Sequence, residues 1–320
     1  MPLPDSGKAA RPMILAVTLN PAIDFTVFGD SFKTGTTNRG QDVFPDAGGK
    51  GNNAARIARL LGSDVMVTGF LGGFTGDFIT SELEREGIRT VFYRINDLTR
   101  ITLAFIDKKN QSETKVVPFG PKIFTQQADA FCSHFEELLI KNDFSIVALC
   151  GSLANGLSDD YYSRLVSIAN AHDIPVVLDT SGKALEKGIE SSPFMIKPNL
   201  DEAAELSGLN QVDEIISFLR TLTPKIGTVS LTLGKDGAFF ITRNHSTRAR
   251  VTGVDAVNPV GAGDAFVGGF LAAYDKFGMD THKLYSWSIA ASACTAQSKG
   301  LLWPPDIFNE MLKSVDIEII

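Results

Sequence analysis

Residues 13–19 read Met13-Ile14-Leu15-Ala16-Val17-Thr18-Leu19, and this run decides the fold class. Only Thr18 interrupts its apolar character. A strand with one wet face alternates apolar and polar side chains, because successive residues point to opposite faces. A continuous apolar run is a strand covered on both faces, which is the habit of parallel sheets held between helices. Runs of the same kind recur along the chain. Val65 to Leu71 is closed by Gly72-Gly73, Ile146 to Cys150 by Gly151, Val176 to Leu178 by Asp179, and Val229 to Leu233 by Gly234.

Helical periods fill the gaps. Ala54, Ile57, Ala58 and Leu61 follow the i, i+3, i+4, i+7 spacing of one helix face, as do Phe131, Phe135, Leu138 and Leu139, and Leu165, Ile168 and Ala169. The alternation predicts an α/β fold: a doubly wound, mostly parallel sheet flanked by helices. In such sheets ligands bind beyond the carboxyl ends of the strands. The polar and glycine-rich residues just after each strand are therefore the ones to read for chemistry.

Two regions depart from this pattern. Asp24 to Phe28 alternates strictly, and so does Thr99 to Ile106, followed by Thr114 to Val117. Period-two alternation marks half-exposed strands, usually antiparallel. They predict a small projecting β-sheet, a lid, with strands inserted at about 22–47 and 97–120 of a single domain spanning 13–320. Its outer face carries apolar residues that would pair with a second subunit. Residues 1–12, MPLPDSGKAARP, read as a disordered lead-in without the apolar core of a signal peptide. No stretch reaches the length of a membrane span.

The composition narrows the function classes. The 320 residues carry a net charge of −7, which argues against nonspecific nucleic-acid binding but leaves room for a local basic pocket. Cys132, Cys150 and Cys294 are far apart, odd in number and apolar in context. They read as buried filler in a reducing cytoplasm, not as a disulfide or zinc framework. The four histidines show no metal-ligand spacing.

Four segments carry candidate chemistry. Ala47-Gly48-Gly49-Lys50-Gly51-Asn52-Asn53 precedes a helix. Its glycines let backbone N–H groups approach a ligand, its helix start favours an anion, and an asparagine could serve as N-cap. It is neither a P-loop nor a dinucleotide fingerprint. Lys197-Pro198-Asn199 with Glu202 has capping-box spacing, and reads equally as a cap or as a metal–phosphate site. Thr232-Leu233-Gly234-Lys235-Asp236-Gly237 ends a strand in a hydroxyl and a hairpin-like turn. Pro259-Val260-Gly261-Ala262-Gly263-Asp264 leads into a helix expected over Ala265–Tyr274. Its consecutive N–H groups would stabilise negative charge, and Asp264 would be either a cap or a general base.

Together these segments resemble the ribokinase/PfkB family of carbohydrate kinases, in particular its phosphofructokinase and tagatose-6-phosphate kinase branch. Val260-Gly261-Ala262-Gly263-Asp264 is similar to the family's C-terminal signature. Asn20-Pro21-Ala22-Ile23-Asp24 with Gly48 to Asn53 resembles the N-terminal signature of that branch. The resemblance runs from about residue 13 to the C-terminus and implies a role for each matching residue. Asp264 would be the base on the acceptor hydroxyl, and Gly261, Ala262 and Gly263 the anion hole for the transferred phosphoryl group. Asp24, Gly48, Gly49 and Asn53 would bind sugar hydroxyls. Lys50 and Arg100, with Ser152 nearby, would hold a phosphate already on the sugar. Lys197, Asn199 and Glu202 would manage ATP phosphates and Mg²⁺, the metal contacted by Glu202 and Asn199 through water. Thr232, Gly234 and Gly237 would line the nucleotide.

The resemblance thus implies an ATP- and Mg²⁺-dependent cytoplasmic kinase, a homodimer through the lid sheet. Its sugar-phosphate substrates would rank as fructose 1-phosphate, then fructose 6-phosphate or tagatose 6-phosphate. Three departures from the family pattern stand out, and the first bears on that ranking. Thr102 stands where relatives carry Asn, Ala154-Asn155 where prolines are usual, and Asn258-Pro259 where Asp-Thr or Ser-Thr is commoner. The last stretch leaves a monovalent cation open. A kinase for an unphosphorylated sugar or nucleoside, and a sugar-phosphate sensor without turnover, are the alternatives.

Overall fold

Leu15 and Val17 face one side of a sheet, Ile14 and Ala16 the other, and all four are completely buried. That double burial is what a continuous apolar run requires, and the whole molecule is arranged around it. The computed structural model describes residues 12–253, 257 and 259–320. The lead-in expected over 1–12 falls almost wholly outside them, as does Asn258.

The strands are β1 (Met13–Thr18), β2 (Ala22–Gly29), β3 (Asp42–Gly48), β4 (Val65–Gly72), β5 (Arg89–Thr90), β6 (Tyr93–Ile95), β7 (Arg100–Asp107), β8 (Ser112–Val116), β9 (Phe144–Cys150), β10 (Val176–Asp179), β11 (Met195–Ile196), β12 (Thr228–Thr232), β13 (Ala238–Ile241), β14 (Ser246–Val251) and β15 (Val315–Ile319). The helices are α1 (Lys50–Leu60), α2 (Gly73–Arg85), α3 (Thr125–Lys141), α4 (Tyr161–Ala171), α5 (Gly182–Ile189), α6 (Leu200–Ser207), α7 (Val212–Leu222), α8 (Ala262–Phe277), α9 (Thr281–Gln297) and α10 (Pro305–Lys313).

The main sheet runs β15-β14-β13-β12-β11-β10-β9-β1-β4-β5, with β6 also paired to β4. From β12 to β5 every pairing is parallel; β13, β14 and β15 add an antiparallel edge. Helices α1, α2, α8, α9 and α10 cover one face around Ile57, Phe266 and Phe270. Helices α3 to α7 cover the other around Phe131, Tyr162 and Leu185. Truncating one such fully buried side chain to alanine costs about 2–5 kcal/mol, so the two layers fix the strand ends firmly.

Helix α8 begins at Ala262 and ends at Phe277, longer at both ends than Ala265–Tyr274. Gly261, left-handed at φ 82°, turns the chain into it. Inside the helix Gly268 costs propensity, but a Cβ there would lie 2.6 Å from the Ala54 carbonyl of α1. The glycine lets α8 pack directly on α1, and this close approach brings the two helix N-termini to one place.

The lid is a separate four-stranded sheet in the order β3-β2-β7-β8. Its outer pairings are antiparallel, but β2 and β7 run parallel. The expected antiparallel lid is corrected at its centre. These two strands are joined by a long crossover through α1, β4 and α2, not by a hairpin, and such crossovers join parallel strands. Val43, Phe44, Val116 and Val117 are exposed on the lid.

Candidate active site

β3 delivers the chain into α1 through Gly48 and Gly49. Gly49 is the N-cap at φ 118°, and no side chain caps the helix. The plainer alternative, an asparagine N-cap, is therefore excluded: Asn52 and Asn53 lie inside the first turn. Asn52 turns inward, where its Nδ2 donates to the Gly48 carbonyl at 2.9 Å and its Oδ1 accepts from Thr18 Oγ1 at 3.1 Å. Asn53, a third of a turn further round, reaches α8, where its Nδ2 donates to Asp264 Oδ2 at 2.8 Å. Gly48 lies against the other acid. A Cβ there would come within 2.0 Å of Asp24 Oδ2, so only glycine leaves that carboxylate its place.

Two cavities meet over these helix starts. One, of about 410 Å³, is lined by Lys197, Asn199, Glu202, Thr232, Gly234 and Gly237, and by Ala262 and Gly263. The other, of about 320 Å³, is lined by Asn20, Asp24, Gly49, Asn53, Arg100 and Ser152. Lys50 and Asp264 line both. The sequence-predicted residues are thus brought together, in two groups joined by one carboxyl group and one lysine. Gly48 and Gly261 stand behind the walls, beside Asp24 and at the turn into α8.

The larger cavity has a polar and an apolar end. Asn199 and Glu202 form a complete capping box at the start of α6. Glu202 N donates to Asn199 Oδ1 at 2.8 Å, and Asn199 N to Glu202 Oε2 at 2.9 Å. The cap and the cavity wall are the same two residues, so capping does not take them away from the cavity. Thr232 N donates to the Pro198 carbonyl at 3.0 Å, which ties the end of β12 to this motif. The chain then turns through Gly234–Asp236 into β13, the hairpin its sequence predicts. Ile289, Ala293 and Ala296 of α9 supply the apolar end.

At the start of α8 the Ala262 N–H already donates to the Pro259 carbonyl at 3.2 Å. Of the Gly261, Ala262 and Gly263 donors expected as an anion hole, that of Ala262 is therefore already engaged; the first turn also leaves the N–H groups of Gly263 and Asp264 without partners inside the helix. Lys197 stands beside them, its Nζ 3.7 Å from where a Gly263 Cβ would be.

Electrostatics centre on Asp264 and Asp179. Burial, then the nearby Asp179 charge, push the Asp264 carboxyl up to about 6, against lowering contributions from Asn53, Lys50 and Lys197. Asp179, 1% exposed, ends β10 and meets Lys197 Nζ at 3.1 Å and Lys50 Nζ at 3.8 Å. Neither of its oxygens receives a hydrogen bond of normal geometry. The Lys50 ammonium is held above its ordinary range chiefly by Asp179, with Asp264 and Glu202 assisting against the cost of burial. Asp24 is raised by burial and by the facing Asp46, and lowered by Thr102, Arg100 and Lys115.

Arg100 is partly engaged. Its Nη1 donates to the Pro118 carbonyl at 3.0 Å and its Nη2 to the Asn20 carbonyl at 2.9 Å, while Nε is buried without a partner. Ser152 Oγ accepts from Asn20 Nδ2 at 3.3 Å.

A buried acid and a lysine at the junction of two cavities, with a second lysine and a helix N-terminus in the larger one, suit transfer of an anionic group. The sequence profile of the pfkB family of carbohydrate kinases matches residues 14–305. The chain belongs to that family.

Solved structures agree on the fold. A Staphylococcus aureus protein assigned as a phosphofructokinase is 29% identical, with a TM-score of 0.83 over 96% of this chain and 99% of that one. A Thermotoga maritima protein assigned as a 1-phosphofructokinase is 24% identical, with a TM-score of 0.86 over 96% and 99%. Phosphofructokinase-2 from Escherichia coli, in complex with fructose-6-phosphate, is 22% identical, with a TM-score of 0.84 over 94% and 98%; the same enzyme has been solved in complex with potassium.

Three features of this pfkB carbohydrate kinase escape its motifs. Asp179 is one more polar residue ending a strand, and only its position there could have flagged it. Thr180 and Ser181, which line the smaller cavity, follow it in the same loop. The α9 residues at the apolar end read as ordinary core. No helix among the described residues is long and apolar enough to cross a membrane.

Proposed function

We propose that this pfkB kinase transfers the γ-phosphoryl group of ATP to a hydroxyl of a ketohexose phosphate, with fructose 1-phosphate preferred over fructose 6-phosphate and tagatose 6-phosphate. One observation carries the reading: Asp264 and Lys50 line both cavities. A base and a cation at the junction are what an in-line transfer from one cavity to the other requires.

Asp264 accepts the proton of the attacking hydroxyl as that oxygen bonds to phosphorus, and the bond from phosphorus to the β-bridging oxygen breaks to release ADP. Its raised position near 6 keeps it largely ionised at neutral pH yet basic enough to take a proton. The Gly263 and Asp264 N–H groups, with Lys197 and Lys50, face the charge on the moving phosphoryl group. Asn53 aims the base through its 2.8 Å bond. Asp24 accepts sugar hydroxyls above Gly48, and Arg100, Ser152 and Lys50 provide for the sugar's phosphate. Closing the lid would exclude water and limit hydrolysis of ATP.

Among the described residues no three histidines, cysteines or carboxylates converge as a metal cage. Mg²⁺ does not need one; it keeps several waters and is held by one or two carboxylates together with substrate phosphates. The oxygen set fits: Glu202 and Asn199 both lie on the wall of the larger cavity. When bound, Mg²⁺ would neutralise the phosphate charge. A monovalent cation near residues 258–259 stays part of the proposal. So does a homodimer through the lid, which the exposed Val43, Phe44, Val116 and Val117 support. Three free, buried cysteines suit a reducing cytoplasm.

A second reading, a kinase for a neutral sugar or nucleoside, draws on the two Arg100 N–H groups already held by backbone carbonyls. A coupled ADP-release assay over the three sugar phosphates and neutral sugars decides between them. Fructose 1-phosphate should give the highest kcat/KM. Neutral sugars outperforming every phosphate would overturn the assignment.

A further inference from the structure

Arg56 lies on α1, three residues beyond Asn53, and is 8% exposed. No step of the phosphoryl transfer uses it. Its Nε donates to Glu86 Oε2 at 2.8 Å and to Oε1 at 3.1 Å, and its Nη2 donates to Glu86 Oε1 at 2.7 Å. Its Nη1 donates to Asp46 Oδ2 at 3.0 Å. One planar guanidinium therefore joins three elements: α1, the C-cap of α2 at Glu86, and lid strand β3 at Asp46.

Asp46 is the direct cross-strand partner of Asp24. Two residues beyond Asp46, Gly48 carries the backbone against which the Asp24 carboxylate lies. The lid strand that shapes the sugar half of the site is thus fastened to the body within one turn of its exit. Like charges directly opposite across a strand pair repel. The Arg56 cation is bonded to Asp46 at 3.0 Å and balances that carboxylate, so that Asp24 and Asp46 can occupy one rung. Asp24 is otherwise faced by Thr102 and Arg100 from β7 and by Lys115 from β8.

We propose that Arg56 is a positioning residue: it pins lid strand β3 to the end of α2 through Asp46 and Glu86, and so sets where Asp24 stands in the sugar half of the site. A buried cation satisfied by two carboxylates is a rigid joint, because a planar fork bound on one side by Glu86 and on another by Asp46 cannot swing without breaking a charged bond. The joint fixes the lid's root while leaving the outer ends of its strands free to close. The kinetic part rests on the kinase reading above; the fastening of the strand does not.

The test uses the full chain with Glu86→Gln, Asp46→Asn and Arg56→Lys, measured in two ways. The first is amide hydrogen exchange of the ligand-free protein over residues 22–29 and 42–48. The second is steady-state kinetics with sugar phosphate and with ATP varied separately. Glu86→Gln keeps Asp24 and Asp46 untouched. It should speed exchange in 42–48 while leaving β9 and β10 unchanged, and should raise KM for the sugar phosphate ~10- to 100-fold with KM for ATP within about twofold. Arg56→Lys keeps the charge without the fork and should fall between wild type and Glu86→Gln. Arg56→Ala, which leaves two carboxylates facing no cation, is expected to fold poorly and is not the variant relied on. A lower Tm with exchange in 42–48 and both KM values unchanged would overturn the proposal, leaving Arg56 a structural ion pair. Faster exchange with an unchanged sugar KM would overturn the positioning role as well. Should wild type phosphorylate no sugar phosphate, the function reading fails, and the exchange arm still decides whether the joint holds β3.

Discussion

Asn53 Nδ2 donates to Asp264 Oδ2 at 2.8 Å across 211 positions of sequence. The bond joins the first turn of α1 to the first turn of α8, and it holds the proposed base where both cavities open. An amide can only donate to that oxygen, which leaves the carboxylate's other oxygen for a substrate proton.

Asp264→Asn should lower kcat by about 10²- to 10⁴-fold, the usual value of a general base. Its fold should be intact. Burial raises the Asp264 carboxyl, so the folded protein takes up this proton more readily than the unfolded chain. The group's contribution to stability is then greatest below its unfolded value and is lost as pH rises through about 6. Neutral asparagine removes that charge, and thermal unfolding at pH 7 should give a Tm no lower than wild type. A near-normal kcat would end the assignment of Asp264 as base.

The rate should report the same group. With Asp264 required ionised, kcat/KM should fall on the acid side with a midpoint near pH 6. Lys50 holds that carboxyl down, so Lys50→Met should move the acid limb to higher pH as well as lower kcat. A limb that stays in place would show that the titrating group lies elsewhere.

Lys197 and Asp179 are a buried pair, 3.1 Å apart, with side chains 5% and 1% exposed. Removing Lys197 leaves buried Asp179 only Lys50, at 3.8 Å, so Lys197→Met should destabilise the protein, by up to ~3–5 kcal/mol. Adding Asp179→Asn should restore much of that stability in denaturant unfolding while leaving activity low. If the double variant were no more stable than Lys197→Met, the pair would not be the source of the loss.

Gly48→Ala places a methyl group within 2.0 Å of the present Asp24 Oδ2 position, which forces the carboxylate to move. KM for the sugar substrate should rise about tenfold or more, with KM for ATP nearly unchanged because Gly48 does not line the larger cavity. Equal rises in both would refute Asp24 as a sugar contact.

The exposed lid residues make a further test. Phe44→Glu should shift the protein from dimer to monomer in analytical ultracentrifugation, since a charge at the centre of an apolar contact is costly. A monomeric wild type, or a variant that stays dimeric, would remove the lid as the interface.

The sequence by itself determined the layers. A strand buried on both faces has to be apolar throughout, so MILAVTL and its successors announced a parallel sheet, and the 3.6-residue period announced its helices. It also marked most of the segments that line the two cavities, because glycine-rich turns ahead of helices and a capping box are local patterns. Tertiary structure decided what local pattern cannot carry. The parallel β2–β7 pairing depends on the crossover between them, not on either strand's own alternation. Asp179 gained its two lysines because β10 lies beside β9 and β11, and Arg56 its two carboxylates because α1, α2 and β3 converge. Asn53 was read as a sugar contact; it lines the smaller cavity, and the close packing of α8 on α1 at Gly268 also makes it the partner of Asp264. Spacing along the chain encodes faces and turns; which faces meet is set by sheet order and helix packing, whose contacts span hundreds of residues.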